Sequence, residues 1–225
     1  MLQANRRASR GGATSKGRAL SERARAASYV VRAEITFLFF TALSVALHPG
    51  FVLKRNEGGM SDYGSHIKTA VPYTLALLFL ALYSHRAALL YRGGDQRSKG
   101  LRTLLLAYSA VVFSVLLSTY VYSLNSVLKD LHFAFGTALI VVVGVGSLWM
   151  YRQWPPSTGV GVLLFIQLVA DVLSLLTVVG MLHVLFLSEI LANVAFAAIL
   201  IRSTRRLAAE EKSSSTLLDP ATWFK

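Results

Sequence analysis

The chain is predicted to be an all-α polytopic membrane protein of six transmembrane helices, with both termini in the cytoplasm. Three observations predict this. Apolar residues make up 54% of the 225 positions and charged residues only 15%, whereas soluble domains run near 25% charged. Six apolar runs of about 20 residues succeed one another, the length that crosses a hydrocarbon layer of about 30 Å. The Arg and Lys residues fall at alternate ends of those runs, 19 of the 23 on one side and 4 on the other, and that asymmetry sets orientation.

Residues 1–28 form a basic tail with Arg6, Arg7, Arg10, Lys16, Arg18, Arg23 and Arg25 against the single acid Glu22. It has too few apolar residues for a core and reads as disordered or lying on anionic lipid headgroups. A signal-peptide apolar region is not seen in it, although mitochondrial transit peptides share its composition. Residues 29–203 are the transmembrane domain. Its apolar runs span about Tyr29–Leu53, Thr69–Tyr91, Leu101–Leu124, Leu131–Tyr151, Val160–Val179 and Leu182–Ile201. The last two are split only around Gly180, which predicts a tight helical hairpin. Only helices satisfy the backbone of such runs inside lipid.

Trp149, Tyr151 and Trp154 beside Arg152 read as an interfacial belt, followed by Pro155-Pro156 in a loop. Gly136, Gly144 and Gly146 read as a close-packing stripe on the fourth helix. Residues 204–225 form a cytoplasmic tail whose Leu217–Phe224 stretch is a short interfacial anchor or a frayed end. The net charge of +12 lies at helix ends and tails, so lipid headgroups rather than nucleic acid are the expected partner. Cysteine is absent, which excludes disulfides and thiol chemistry.

Two sets of polar residues are candidates for function. At the expected outer face stand His48, His66, His132 and His183, with Glu57, Asp62 and Asp130. Asp62, Asp130, His132 and His183 form the candidate outer cluster. Ligands of these types from different helices bind a divalent ion such as zinc, with His132, His183 and Asp62 the candidate ligands. Headgroup-level capping is the competing reading, because Asp130 and His132 point to different faces of one helix. Deeper lie Asp171 and Glu189, on adjacent antiparallel helices and roughly 10–12 Å below the tight turn at 1.5 Å per residue. A carboxylate at that depth is costly unless paired, protonated or wetted, and so is a functional candidate. Its alternatives are a shared proton, a bound cation, or hydrogen bonds to Ser114, Ser118 or Thr119. Glu34 reads as a snorkelling acid neutralised by Arg32.

The first outer loop, with Ser61-Asp62-Tyr63-Gly64 directly before the second helix, and Asp130-Leu131-His132 at the start of the fourth, resemble the DRAM/Sfk-type six-helix membrane family and related bacterial six-helix proteins. The resemblance singles out Asp62 and His132 and implies a plasma-membrane or endomembrane protein tied to lipid organisation, without catalysis. The long basic tail and the Asn56-Glu57-Gly58-Gly59 stretch depart from the eukaryotic members, so the resemblance is nearer to the bacterial group, for which it implies no function. The residues thus predict a non-enzymatic inner-membrane bundle that binds or organises lipid or supports a membrane complex, without a cofactor. The alternatives are a proton- or cation-coupled transporter using Asp171 and Glu189, and a metal-dependent hydrolase built on the outer His and Asp residues.

Overall fold

The computed structural model describes the backbone of residues 2–54, 59–91, 95–154 and 157–217, and the side chains of residues 22–52, 59–91, 95–154 and 157–210. Glu57, Pro155, Pro156, Arg92 and the tail end from residue 218 lie outside the described residues.

Eight helices follow in order: α1 (Leu2–Leu47), α2 (Gly50–Lys54), α3 (Ser61–Ser65), α4 (Ala70–Leu90), α5 (Gln96–Thr119), α6 (Ser126–Gln153), α7 (Thr158–Val178) and α8 (Leu185–Leu217). Six of them, all but the short α2 and α3, contain spans long and apolar enough to cross a membrane. The chain is an all-α integral membrane protein. The six long helices close into a ring in which α1 packs between α4 and α8, α5 follows α4, and α6 and α7 complete the circuit back to α8.

Local chemistry explains where the helices start and stop. Asp95 caps α5, its side chain accepting from Ser98 N at 3.0 Å, and Asn125 caps α6 by accepting from Leu128 N at 2.9 Å. At the end of α7, Gly180 takes φ +80°. Its N–H donates to Thr177 O at 2.9 Å while Met181 N–H donates to Leu176 O at 2.8 Å, the pair of bonds that closes a helix on a left-handed glycine. The hairpin expected around Gly180 is therefore present.

The side chains are arranged for an apolar solvent. Phe165, Val145 and Phe39 point outward with 68%, 63% and 62% of their surface exposed. Each such side chain would forgo about 1.5–3 kcal/mol if left in water. The interior holds small, aromatic and polar side chains, among them Gln167, Ser147, Thr204 and Glu34. Gly146 lets Leu104 of α5 approach α6, and Gly100 does the same for Trp149; a Cβ there would stand 2.4 Å and 2.1 Å from those side chains. Of the three glycines expected as a packing stripe, only Gly146 meets a neighbouring apolar side chain. Gly136 meets no atom within 4 Å, and Gly144 meets a carboxylate.

The packed bundle reaches beyond residues 29–203. α1 is one unbroken helix through the boundary at residue 28, and Ala26, Ala27 and Leu207 are buried. Arg23 of α1 pairs with Asp95 at 2.7 Å, and Arg97 of α5 with Glu210 of α8 at 2.9 Å. Burial alone would raise the Asp95 pKa, but hydrogen bonds from Ser98 and the charge of Arg23 hold it below the ordinary value. Trp154, expected in an exposed belt, is buried beneath Arg97, whose guanidinium lies 5.5 Å from the ring centre. Glu34 also departs from expectation. It is only 3% exposed and turned into the bundle, while Arg32 is exposed and sits over Tyr29. The helical period puts these two residues on opposite faces.

Candidate functional site

The site is built at the end of the bundle where α1 ends and α4 begins, and its floor plan starts from the segment between them. Tyr63 of α3 is buried, its ring 5.3 Å from Phe51 and 5.5 Å from Phe186. Gly64 lies flush against Thr119 and Tyr73, where a Cβ would meet Thr119 at 2.5 Å. Thr69 Oγ1 donates to Tyr63 O at 2.7 Å and closes the turn into α4. Gly59 takes φ +60°, which aims the next amide at α8. Met60 N–H donates to Glu189 Oε2 at 2.7 Å, and a Cβ on Gly59 would stand 2.5 Å from the same oxygen. The segment is thus folded into the bundle mouth rather than held away from it.

Beneath it runs a hydrogen-bonded line across three elements. His132 of α6 is buried, with Nε2 2.9 Å from Ser61 Oγ of α3 and Nδ1 2.8 Å from Ser118 Oγ of α5. Ser118 Oγ donates to Val115 O at 3.0 Å, and a carbonyl can only accept. Ser118 therefore accepts from His132 Nδ1–H. The network assigns the neutral Nδ1–H tautomer, and Nε2 accepts from Ser61 Oγ–H. Thr119 Oγ1 is committed in the same way to Val115 O at 2.8 Å, so Tyr73 O–H donates to Thr119 at 3.1 Å. Tyr122 stacks on the His132 ring at 5.0 Å.

Below this line lies a cavity of about 80 Å³ between α3, α4, α5, α6, α7 and α8, room for several waters. Its lining is mostly apolar, with Leu77, Val115, Leu139, Ile140, Val143 and Val178, and is interrupted by Ser61, His132, Ser174, Asp171 and Glu189. Asp171 sits about 10 Å down α7 from its Val178 end. It is 6% exposed, and neither carboxylate oxygen has a hydrogen-bond partner. Its Oδ2 would lie 3.2 Å from a Cβ on Gly144, so that glycine makes room for the carboxylate against α6. One turn along α7, Gln167 accepts from Ser147 Oγ at 2.6 Å and leaves its own Nε2 without a partner. Ser174 Oγ donates to Ser188 Oγ at 2.8 Å, which donates on to Leu185 O at 2.9 Å.

The sequence-predicted residues are divided by this geometry. Asp171 and Glu189 line one cavity, as their depth and antiparallel helices predict. No hydrogen bond joins them, and Glu189 instead accepts the Met60 amide. The α5 hydroxyls do not serve these acids: Ser114 bonds Ala110 O, Ser118 bonds His132, and Thr119 bonds Tyr73. Glu189 is one turn into α8, shallower than the roughly 10–12 Å expected, since that helix starts at Leu185. The outer cluster is dispersed. His132 faces inward, Asp130 and His183 are exposed, and Asp62 is half-buried in the first turn of α3. His48 and His66 pack edge to face at 4.4 Å beside Phe51. Among the described residues no three His, Asp or Glu side chains form a metal-binding group. Of the pair that the family resemblance singles out, His132 is joined to the α3 segment through Ser61, the residue before Asp62.

Sequence reasoning passed over Gln167, offered Ser118 only as a partner for the buried acids and named Ser61 only within a motif, since isolated hydroxyls and amides carry no pattern. It also misjudged Glu34, whose Oε1 is buried without a partner, as is the hydroxyl of Tyr108. Comparison with protein-family models, with curated proteins and with solved structures finds no match to this chain.

Proposed function

We propose that this protein is a non-enzymatic lipid-binding protein of the plasma membrane, which takes part of an outer-leaflet lipid into the cavity beneath α3. The carrying observation is the cavity itself, apolar along Leu139, Ile140 and Val143 and polar at Ser61, Asp171 and Glu189. An amphiphile matches a lining that is mostly apolar with a few polar groups. The 19-to-4 asymmetry of basic residues supports an orientation with both termini in the cytoplasm and the cavity toward the outer leaflet. The basic N-terminal segment then meets anionic cytoplasmic headgroups.

Two experiments test this reading. Purified protein is expected to retain lipid in native mass spectra, and Gly136→Leu, which grows into open space, is expected to lose it while still folding. Wild-type and variant retaining the same lipid would refute the cavity as the site. Because the chain has no cysteine, single cysteines report orientation cleanly. Ser123→Cys is expected to react with an impermeant maleimide on intact cells and Ser9→Cys only after lysis.

A second reading, a proton- or cation-coupled transporter, is favoured by the presence of both Asp171 and Glu189 on one cavity. Proteoliposomes that show Asp171-dependent ion or proton flux would establish it in place of the binding role.

A further inference from the structure

We propose that the part of this cavity around Asp171 is a binding site for an ammonium group, with Asp171 as its counter-ion. This rests on the cavity being a ligand site, and deepens the lipid reading by naming the headgroup chemistry.

The lining carries two carboxylates, Asp171 and Glu189, and among the described residues no lysine or arginine. Glu189 already accepts the Met60 amide. Asp171 has both oxygens buried at 6% residue exposure, with the Gln167 amide on the same helix as its one neighbouring donor and no cationic side chain beside it among the described residues. A buried carboxylate with four empty acceptor positions is a costly arrangement in the absence of a donor. The donors nearby do not balance it: Gln167 Nε2, one turn away on α7 and otherwise without a partner, can fill only one of those positions and brings no charge. Ser174 donates to Ser188. His132 Nδ1–H is held by Ser118, and its Nε2 has a lone pair rather than a proton facing Ser61. The missing partner is therefore a donor-rich or positively charged group entering the cavity, and an ammonium supplies up to three N–H donors and the compensating charge. Anionic groups are disfavoured by the same two carboxylates.

The surroundings select further. Asp171 Oδ2 itself lies against Gly144, while Gly136, about two turns back along α6, leaves open space on the cavity wall. A small head therefore reaches the carboxylate while carbon atoms attached to it lie along Leu139, Ile140 and Val143. A lipid head with a primary ammonium and a free alkylammonium share this chemistry.

The test uses the full chain purified in dodecyl maltoside. Phosphatidylethanolamine, phosphatidylcholine and phosphatidylglycerol are added in turn at equal mole fraction, and separately ethanolammonium chloride against sodium and potassium chloride. Retained ligand is read by native mass spectrometry and thermal shift. Phosphatidylethanolamine is expected to be retained over phosphatidylglycerol, with Asp171→Asn weakening that retention at least about tenfold, the scale of one hydrogen bond to a charged group. Asp171→Asn keeps size and shape, so its unliganded melting temperature serves as the folding control, and Asp171→Glu is expected to restore part of the retention. Stabilisation by ethanolammonium without lipid, lost in Asp171→Asn, supports the ammonium site and assigns it to a soluble ligand, which overturns the lipid reading alone. Equal retention of all three lipids, sensitive to Gly136→Leu but not to Asp171→Asn, leaves the lipid reading standing and overturns the ammonium site. Equal stabilisation by sodium or potassium overturns it as well.

Discussion

The backbone N–H of Met60 donates to Glu189 Oε2 at 2.7 Å, across 129 residues of sequence. This one bond ties the α3 segment to α8 and places Ser61 over the cavity, where it meets His132. The Glu189 carboxylate thus acts as a structural acceptor on one edge of the site, while Asp171 on the next helix has no partner.

Replacing Glu189 by Leu is expected to leave the Met60 amide buried and unpaired, at a cost of about 1–3 kcal/mol. Glu189→Gln retains an acceptor oxygen and is expected to lose less. Thermal unfolding in detergent measures both, and a Leu variant as stable as wild type would refute this role.

Gly59→Ala is expected to destabilise by about 1–3 kcal/mol, because φ +60° strains an L residue and the new Cβ would stand 2.5 Å from the Glu189 oxygen. The steric part is separable. In the double variant with Glu189→Ala the two losses are expected to be less than additive, by about 0.5–3 kcal/mol. Strict additivity would show that the contact carries no energy.

The tautomer of His132 is a direct spectroscopic prediction. Nitrogen-15 imidazole spectra at neutral pH are expected to show a protonated Nδ1 and an unprotonated Nε2, as the Ser118–Val115 bond requires. Ser118→Ala removes the Nδ1 acceptor and is expected to cost about 1–3 kcal/mol. A dominant Nε2–H form in the wild type would contradict the network.

At the opposite end, the Arg23–Asp95 pair has a defined pH dependence. The pKa of Asp95 is lowered in the folded protein from its ordinary 3.8, so its contribution is complete above the unfolded value of about 4 and is lost as pH falls through the folded one. Acid unfolding of Asp95→Asn is expected to lack that component below about pH 4. The effect is expected to be small and to shrink with salt, because the Asp95 side chain is 43% exposed.

The depth of Asp171 was legible by counting along α7 from Gly180, whereas Glu189 lies shallower than that count gives, one turn into α8, because the helix starts only at Leu185. The dispersal of Asp130 and His183 was not legible. Both lie near helix ends, where the side chain's direction depends on rotation about the helix axis, and nothing in their neighbours' apolarity defines it. His132 stands in the same stretch as Asp130, yet it is turned inward because Ser61 and Ser118 supply its two nitrogens with partners. Glu34 shows the same blindness in reverse: two residues from an exposed arginine, it lies on the buried face.

By itself the sequence determined that the chain is six apolar helices, because helix length and composition are local quantities matched to a membrane of given thickness. It also located the turn at Gly180, where backbone conformation is dictated by the residue. Only the tertiary structure decided that Ser61 meets His132, that Glu189 is occupied by Met60, and that Asp171 is left facing a cavity without a partner. Those outcomes depend on how six helices are rotated against one another and on where a glycine-bearing segment folds in, and no single helix encodes them.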